Sequence, residues 1–348
     1  MNGGKRTALP PGREFCHTLS VMNHRLCLSL LGLVAILAAF SGVAADVSDY
    51  TVIKSQNYVQ PTNGAPTLLT TNGYGFACVV VGASNGLVLA ASVKPPGTTP
   101  SRTLIGTTNG TLWQFTDATN TSAALDALYS SSFGSSYNFS ILTVHDGLKS
   151  LSLNFNFISA PPTPQINNLP AAQDVNSSAD FSLQWNALGG VAVIGQLTIL
   201  DGGSNTVFST PAPLQPGALS GSSTSVVIPA HTLPPDSQLM GLLTAAQPGF
   251  PGTSGYGTGI PALARITEFP LHTRSLVAPQ LTLLPPDQTA LRLRLTGATN
   301  ANYELQTSTN LVEWSALFTT NSPTGTVEFS QPLGTGAAQV FYRGRAAP

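Results

Sequence analysis

Gly82-Ala-Ser84-Asn-Gly86 has the Gly-x-Ser-x-Gly spacing of a nucleophile elbow, and the apolar run 76–81 precedes it as that motif requires. An elbow must then open a helix, which aims the serine hydroxyl and its oxyanion donors. Here Leu87-Val-Leu-Ala-Ala-Ser-Val93 follows and reads as a second strand. A hairpin turn over Asn85-Gly86 therefore accounts for the same five residues. Three histidines lie beyond residue 45. His145 precedes Asp146-Gly147 between two strand-like runs and belongs at a hairpin tip; His231 and His272 stand near prolines at strand ends. No two have metal-ligand spacing, which leaves solvent-facing or capping roles.

The remaining polar groupings each have a plain alternative. Asp174, Asn176, Ser178 and Asp180 alternate like the oxygens that open a calcium loop, but the sixth place holds Ala179 and the twelfth Trp185. That loop wants glycine and a bidentate glutamate there, so a polar loop entering a strand is the better reading. Gly252-Thr-Ser-Gly-Tyr-Gly-Thr-Gly259 has neither a lysine nor a helix start, which phosphate cradling would need. It reads as a flexible loop with Phe250 and Tyr256 as contact residues. Arg292, Arg294, Arg343 and Arg345 alternate in two pairs, and adjacent strands would align them into a basic stripe for anionic polysaccharide or lipid headgroups. A solvated face balanced by Glu304 and Glu328 is the competing account. Carboxylate pairs for sugar hydrolysis are spatial, so the scattered acids decide nothing. The expectation is no catalytic constellation, no metal and no cofactor.

Residues 22–45 set the address. Asn-His-Arg is followed by an uncharged apolar run from Leu26 and then Ser-Gly-Val-Ala-Ala45, with Val43 and Ala45 at the small-residue positions of a cleavage site. This is the grammar of a secretory signal, with Asp46 as the first mature residue and either Met1 or Met22 as the start. Retention as a membrane anchor is the alternative, since a span needs about 20 apolar residues. Membrane contact is expected only through that uncleaved segment. Beyond it Cys78 stands alone, so no internal disulfide forms, and Cys78 within the apolar run reads as a small buried hydrophobe. From Asp46 onward 10 Lys plus Arg face 14 Asp plus Glu, a net charge of −4. That argues against a nucleic-acid binder, which calls for a basic patch or stripe.

Positioning falls to strands and turns. Asn-Gly at 63, 72, 85 and 109 and Asp-Gly at 146 and 201 tolerate the positive φ of tight turns. Leu151-Ser-Leu153-Asn-Phe155-Asn-Phe157 and Leu291-Arg-Leu293-Arg-Leu295 alternate with period two. One short helix is predicted from a cap at Asn120 or Thr121 to about Tyr129. The fold class is all-β, as tandem β-sandwich modules with one short helix in the first. Proline-rich Ser159-Ala-Pro-Pro-Thr-Pro164 and a weaker break at 275–279 divide the chain. The predicted divisions are an extension and signal at 1–45, a β-rich domain at 46–160, a sandwich at 161–275 and a small module at 276–348.

Pro164, Asp180-Phe-Ser-Leu-Gln-Trp185, the run 225–233 and Gln238-Leu-Met-Gly-Leu-Leu-Thr-Ala245 make the middle piece resemble a fibronectin type III β-sandwich. The resemblance implies a core role for Trp185 and a corner at Leu233–Pro235, although Leu239 stands where that family places a tyrosine. Tyr303-Glu-Leu-Gln-Thr-Ser-Thr-Asn-Leu-Val-Glu-Trp314 and Phe341-Tyr-Arg343 resemble a C-terminal module of exported modular bacterial proteins, which implies export and modularity. The first domain resembles no family. The expectation is a secreted or cell-surface bacterial protein that binds without catalysis. Polysaccharide or cell-surface glycan is the leading partner, met by Trp113, Tyr74, Phe250 and Tyr256. A structural spacer of envelope or matrix and a hydrolase with a site in the first domain are the alternatives.

Overall fold

The computed structural model describes residues 45–107, 110–132, 134–155, 158–212, 215–252, 256–274, 279–285, 290–299, 301–332 and 339–346. The segment expected from the sequence to be a secretory signal lies outside them up to residue 44. Strands β1 (Val47–Val59), β2 (Thr67–Leu68), β3 (Tyr74–Gly82), β4 (Val88–Lys94), β5 (Arg102–Thr103), β6 (Ile105–Gly106), β7 (Leu112–Thr119), β8 (Ser136–Thr143) and β9 (Gly147–Asn154) come first. Helix α1 (Ser122–Leu128) joins β7 to β8. After the one-turn helix α2 (Leu169–Ala172) come β10 (Phe181–Gln184), β11 (Ile194–Leu200), β12 (Thr206–Ser209), β13 (Leu219–Ser220), β14 (Ser225–Ile228), β15 (Gln238–Pro248) and β16 (Thr258–His272). Strands β17 (Gln280–Leu283), β18 (Ala290–Thr296), β19 (Ala301–Ser308), β20 (Ser315–Ser322), β21 (Thr326–Pro332) and β22 (Phe341–Ala346) complete the chain. The protein is all-β, and α2 is an addition to the single helix foreseen.

The chain forms two compact units: residues up to Leu169 with Gln184–Ser225 and Met240–Pro270, and Pro170–Leu183 with Val226–Leu239 and Leu271 onward. The first is built on a long sheet ordered β12-β11-β15-β16-β1-β3-β7-β6. Strands from both sides of the proline-rich 159–164 segment share that sheet. Its join is a parallel ladder in which Asp49 to Val59 of β1 face Thr258 to Glu268 of β16. The proline-rich segment is strapped to this ladder. The Gln60 side chain donates to the Ile166 carbonyl (2.8 Å) and accepts from its N–H (2.7 Å), and the Thr267 hydroxyl donates to the Pro164 carbonyl (2.6 Å). Each bond satisfies a buried backbone group that would otherwise be costly.

A four-stranded sheet, β5-β4-β8-β9, covers one face of β1 and β3. Alternation puts Tyr137, Phe139, Ile141, Leu151 and Leu153 inward, against Tyr50, Val52, Phe76 and Cys78. Phe76 stacks on Tyr129 at 3.8 Å, and Tyr129 donates to Asp117 (2.6 Å). Helix α1 forms as the sequence predicts: Thr121 caps it by accepting from the Ala124 N–H, and Leu125 is its buried residue. Lys54 of β1 bonds Asp126 of the helix. Cys78 is a free, fully buried thiol whose pKa burial pushes well up, as suits a core residue.

In the second unit two three-stranded sheets, β17-β18-β21 and β20-β19-β22, enclose Leu293, Leu295, Tyr303 and Leu305. Gly344 of β22 leaves just enough room for Leu295, since a Cβ there would stand 2.7 Å from its methyl carbon.

Gly259 lies opposite Tyr50 in the parallel ladder, and a Cβ there would meet the Tyr50 ring at 2.4 Å. Gly259→Ala is expected to destabilise the protein by about 1–3 kcal/mol through overpacking, read as a lower denaturation midpoint. Gly202→Ala, with open space around its Cβ, is the control expected to leave the midpoint unchanged.

Candidate functional site

The densest polar cluster forms where β1 begins, at the tip of the β8–β9 hairpin. Gly147 turns that hairpin with φ +69°, and the Thr143 hydroxyl donates across it to the Gly147 carbonyl (3.1 Å). Asp46, 4% exposed, seizes the tip. Its Oδ2 accepts from the backbone N–H of His145 (2.7 Å) and of Asp146 (3.3 Å), and its Oδ1 meets His145 Nδ1 at 2.8 Å. The clamp is reciprocal, for the Asp46 N–H donates to Asp146 Oδ2 (2.9 Å). Tyr256 donates its hydroxyl to the same oxygen (2.8 Å), and Lys149 Nζ stands 4.9 Å from the Tyr256 ring centroid.

Electrostatics follow from these bonds. Burial works to raise the Asp46 pKa, but the bonds from His145 and Asp146 and the imidazole's charge outweigh it and bring it down to about 2. The bond to Asp46 raises His145, whose ring is otherwise 70% exposed. The Asp46 N–H and then the Tyr256 hydroxyl lower Asp146. Burial, then the bond to Asp146, pushes Tyr256 up to about 12.

An Asp–His couple is two-thirds of a nucleophile triad, and the 82–86 loop lies beside it. The Ala83 N–H donates to the Asp46 carbonyl (2.9 Å), and the Val144 N–H to the Leu87 carbonyl (3.0 Å). Ser84 is exposed there, and among the described residues no hydrogen bond joins it to His145. The turn over Asn85-Gly86 does not close the hairpin that the sequence suggests. It carries the chain from β3 in the long sheet to β4 in the covering sheet, and β4 is a strand where an elbow would need a helix.

The predicted contact aromatics are placed separately. Trp113, Tyr74 and Tyr256 are half-buried and pack on the first unit's core, and the Trp113 ring lies against Gly106. Phe250 is the exposed one, at 73%. The four arginines do not form one stripe, because β18 and β22 belong to different sheets. Arg292 and Arg294 share Glu328 (3.3 and 2.6 Å), while Arg345 pairs with Glu304 (2.6 Å). Arg343 donates to Gln306 (2.8 Å) and lies over Trp314 (4.1 Å). Trp314 is positioned by the turn after β19, where Asn310 accepts from the Val312 and Glu313 N–H groups (both 2.9 Å). The Ser-Thr-Asn-Leu and Phe-Tyr-Arg segments thus meet in one ladder, Ser308 facing Phe341 and Gln306 facing Arg343.

Asp174, Asn176 and Asp180 line a groove of about 330 Å³ with Phe181 and Arg274, and each has a structural employer. Asp174 pairs with Arg274 (2.8 Å), Asn176 accepts from the Ser178 N–H (3.0 Å), and Asp180 accepts from the Ala230 N–H (2.8 Å). Among the described residues no group of three His, Cys, Asp or Glu could hold a metal ion. Trp185 is buried and donates its indole N–H to the Ser223 carbonyl (2.9 Å). Asp46 and Asp146 are the site residues that sequence reasoning passed over; their signals are a position just past the cleavage site expected from the sequence and an Asp-Gly turn.

No protein-family model and no curated protein matches the chain. Solved structures similar to it are tandem fibronectin type III or immunoglobulin-like domains. The FN1–FN3 domains of chicken CNTN1 share 11% identity over 76% of this chain and 85% of that one, at a TM-score of 0.20. The I9–I11 tandem of titin shares 8% over 86% and 92%, at 0.31. A tetra-tandem repeat from the extending region of a large adhesion protein shares 11% over 86% and 74%, at 0.21. Scores this low carry no residue correspondence, and the fold rests on the strand pairing.

The Asp46 clamp gives stability a two-sided pH dependence. A lowered carboxyl contributes stability that is present above its ordinary 3.8 and lost as pH falls towards 2. The raised imidazole contributes stability that is full below its ordinary 6.5 and lost as pH climbs through its folded value. Melting temperature followed from pH 2 to 9 should fall at both ends. Asp46→Asn is expected to flatten both limbs, and His145→Gln to remove the upper one and shrink the lower, where only the backbone N–H bonds to Asp46 remain.

Proposed function

We propose that the chain is an exported, non-catalytic recognition protein of the bacterial cell surface or surroundings, with polysaccharide or cell-surface glycan as its partner. One observation carries the reading: the outer face of the β5-β4-β8-β9 sheet is a rigid polar grid. Lys94, Asn138 and Ser152 stand in one cross-strand row, Ser92, Ser140 and Ser150 in the next, and Ala90, Leu142 and Leu148 in the third. Asn138, Ser150, Ser152 and Asn154 are exposed, and Leu148 is 65% exposed. Rows two residues apart on strands spaced about 4.8 Å hold hydroxyls, an amide and a short apolar strip at fixed intervals. A sugar chain offers the complement, hydroxyls that exchange hydrogen bonds and C–H faces that cover leucine. The ladder holds the backbone, and Ser152 donates to Asn138 (2.7 Å), which lowers the freedom lost on binding. The non-catalytic part is supported by employment: the clustered acids and arginines described above hold turns and strands. Export is supported by residues 22–45.

The chain produced by export is expected to bind one member of a panel of insoluble polysaccharides and glycans saturably. Ser140→Arg with Ser150→Arg should weaken that binding at least tenfold with the melting temperature kept. Saturable binding that survives this pair moves the site elsewhere, with Phe250→Ala as the next variant. Failure to bind any glycan leaves the spacer. A serine-directed activity probe that labels the protein and not its Ser84→Ala variant would overturn the non-catalytic reading, since the Asp46–His145 couple is the hydrolase alternative's one foothold.

A further inference from the structure

We propose that the Asp46–Asp146 contact is a docking site for the chain's own mature N-terminus: cleavage after Ala45 frees an ammonium group at Asp46 that pairs with the Asp146 carboxylate. The inference is independent of glycan binding and rests on the cleavage position read from the sequence. Hydrolysis of the Ala45–Asp46 peptide bond by a signal peptidase puts the hydroxyl of water on the Ala45 carbonyl carbon. Asp46 is left with an amine, which takes up a proton at neutral pH.

The site is already shaped for that cation. The Asp46 nitrogen lies 2.9 Å from Asp146 Oδ2, within range of a charge-assisted bond. The same oxygen accepts from Tyr256, which fixes the carboxylate, while Asp46's own carboxylate is held by the His145 and Asp146 N–H groups. The new terminus is therefore gripped from both ends. The Asp46 N–H and the Tyr256 hydroxyl that donate to Asp146 Oδ2 are neutral, while His145 pairs with Asp46 and Lys149 lies over the Tyr256 ring. Asp49 is buried beyond the β-bulge between Val47 and Asp49 and is not among the groups that shift Asp46 or Asp146. In an unprocessed chain a neutral amide N–H donates to the Asp146 carboxylate; in the processed chain the donor also carries charge and the contact becomes an ion pair.

The geometry also orders events. Asp46 and Val47 are buried, and Gly82 faces Val47 in the ladder. A peptidase needs the chain extended and accessible around the scissile bond, so the cut precedes the docking of β1. Processing then supplies a group that the folded structure uses.

The test compares secreted products of the full gene. Intact mass reads the first residue directly, and any start other than Asp46 overturns the proposal whatever the stability data show. With Asp46 confirmed, a glycine inserted between Ala45 and Asp46 leaves the mature chain with a displaced amine. This insertion should lower the melting temperature by roughly 3 °C or more at pH 7, and the difference should vanish in the Asp146→Asn background. The raised amine pKa makes the advantage full below about pH 8 and lost as pH rises through the docked value. Equal melting temperatures with and without the glycine overturn docking. Should Asp146→Asn fail to fold, acylation of the wild-type amine decides. Reaction at least tenfold slower than for an unstructured peptide beginning Asp-Val-Ser supports the pair, and an equal rate overturns it.

Discussion

The parallel ladder between β1 and β16 is the constraint on which the first unit depends. Eleven consecutive residues of β1 pair with a strand that starts about two hundred positions later. Without that pairing β1 would be an edge, exposing a row of unpaired amides, and β11, β12 and β15 would have no sheet to extend. Parallel pairing needs a long connection, and here the connection is most of the chain. Its closure entropy is offset by burial on both faces, Tyr50 and Val52 towards the covering sheet and Ile53 among Ala77, Val79 and Ala262 on the reverse. Side chains secure the join: Gln60 and Thr267 hold the backbone at 164–166, so the proline-rich segment is fastened at its C-terminal end.

The same ladder creates the Asp46 cluster. Register places Asp49 opposite Thr258, which brings the first residues of β1 beside Tyr256 just ahead of β16. The β8–β9 hairpin arrives from the covering sheet, and its tip is fixed by donating the His145 and Asp146 N–H groups to Asp46's carboxylate. Three remote pieces of sequence, at 46, 145–146 and 256, thus share one network. The low pKa of Asp46 and the raised one of His145 are two sides of one bond. Their common job is to seal the end of the sandwich where the chain enters it.

Much of the local structure was legible in the residues. Thr121 caps α1 and Tyr129 closes it, because a hydroxyl positioned to accept from a free N–H acts over three residues. Alternation at 151–155 and at 291–295 assigned inner and outer faces correctly, since period two is a property of the extended backbone. His145 stands at its hairpin tip, and the buried Trp185 and the Glu304 and Glu328 partners of the arginines also match the residue reading. The turn over Asn85-Gly86 is the exception, joining two sheets instead of closing a hairpin. Its dipeptide specifies positive φ, found at Gly86, but not whether the two flanking strands pair.

The sequence by itself determined strand identity, turn positions, the single early helix, the lone buried thiol and the expectation of export, all set by local propensity or composition. Tertiary structure alone decided which strands are neighbours, that 46 meets 145 and 256, that the arginines separate onto two sheets, and that Trp113 and Tyr74 pack on the core. The physical reason is range. Capping, turn chemistry and alternation act within a few residues, whereas β1 with β16, and Asp46 with Asp146, are chosen by the global packing that buries both faces of one sheet.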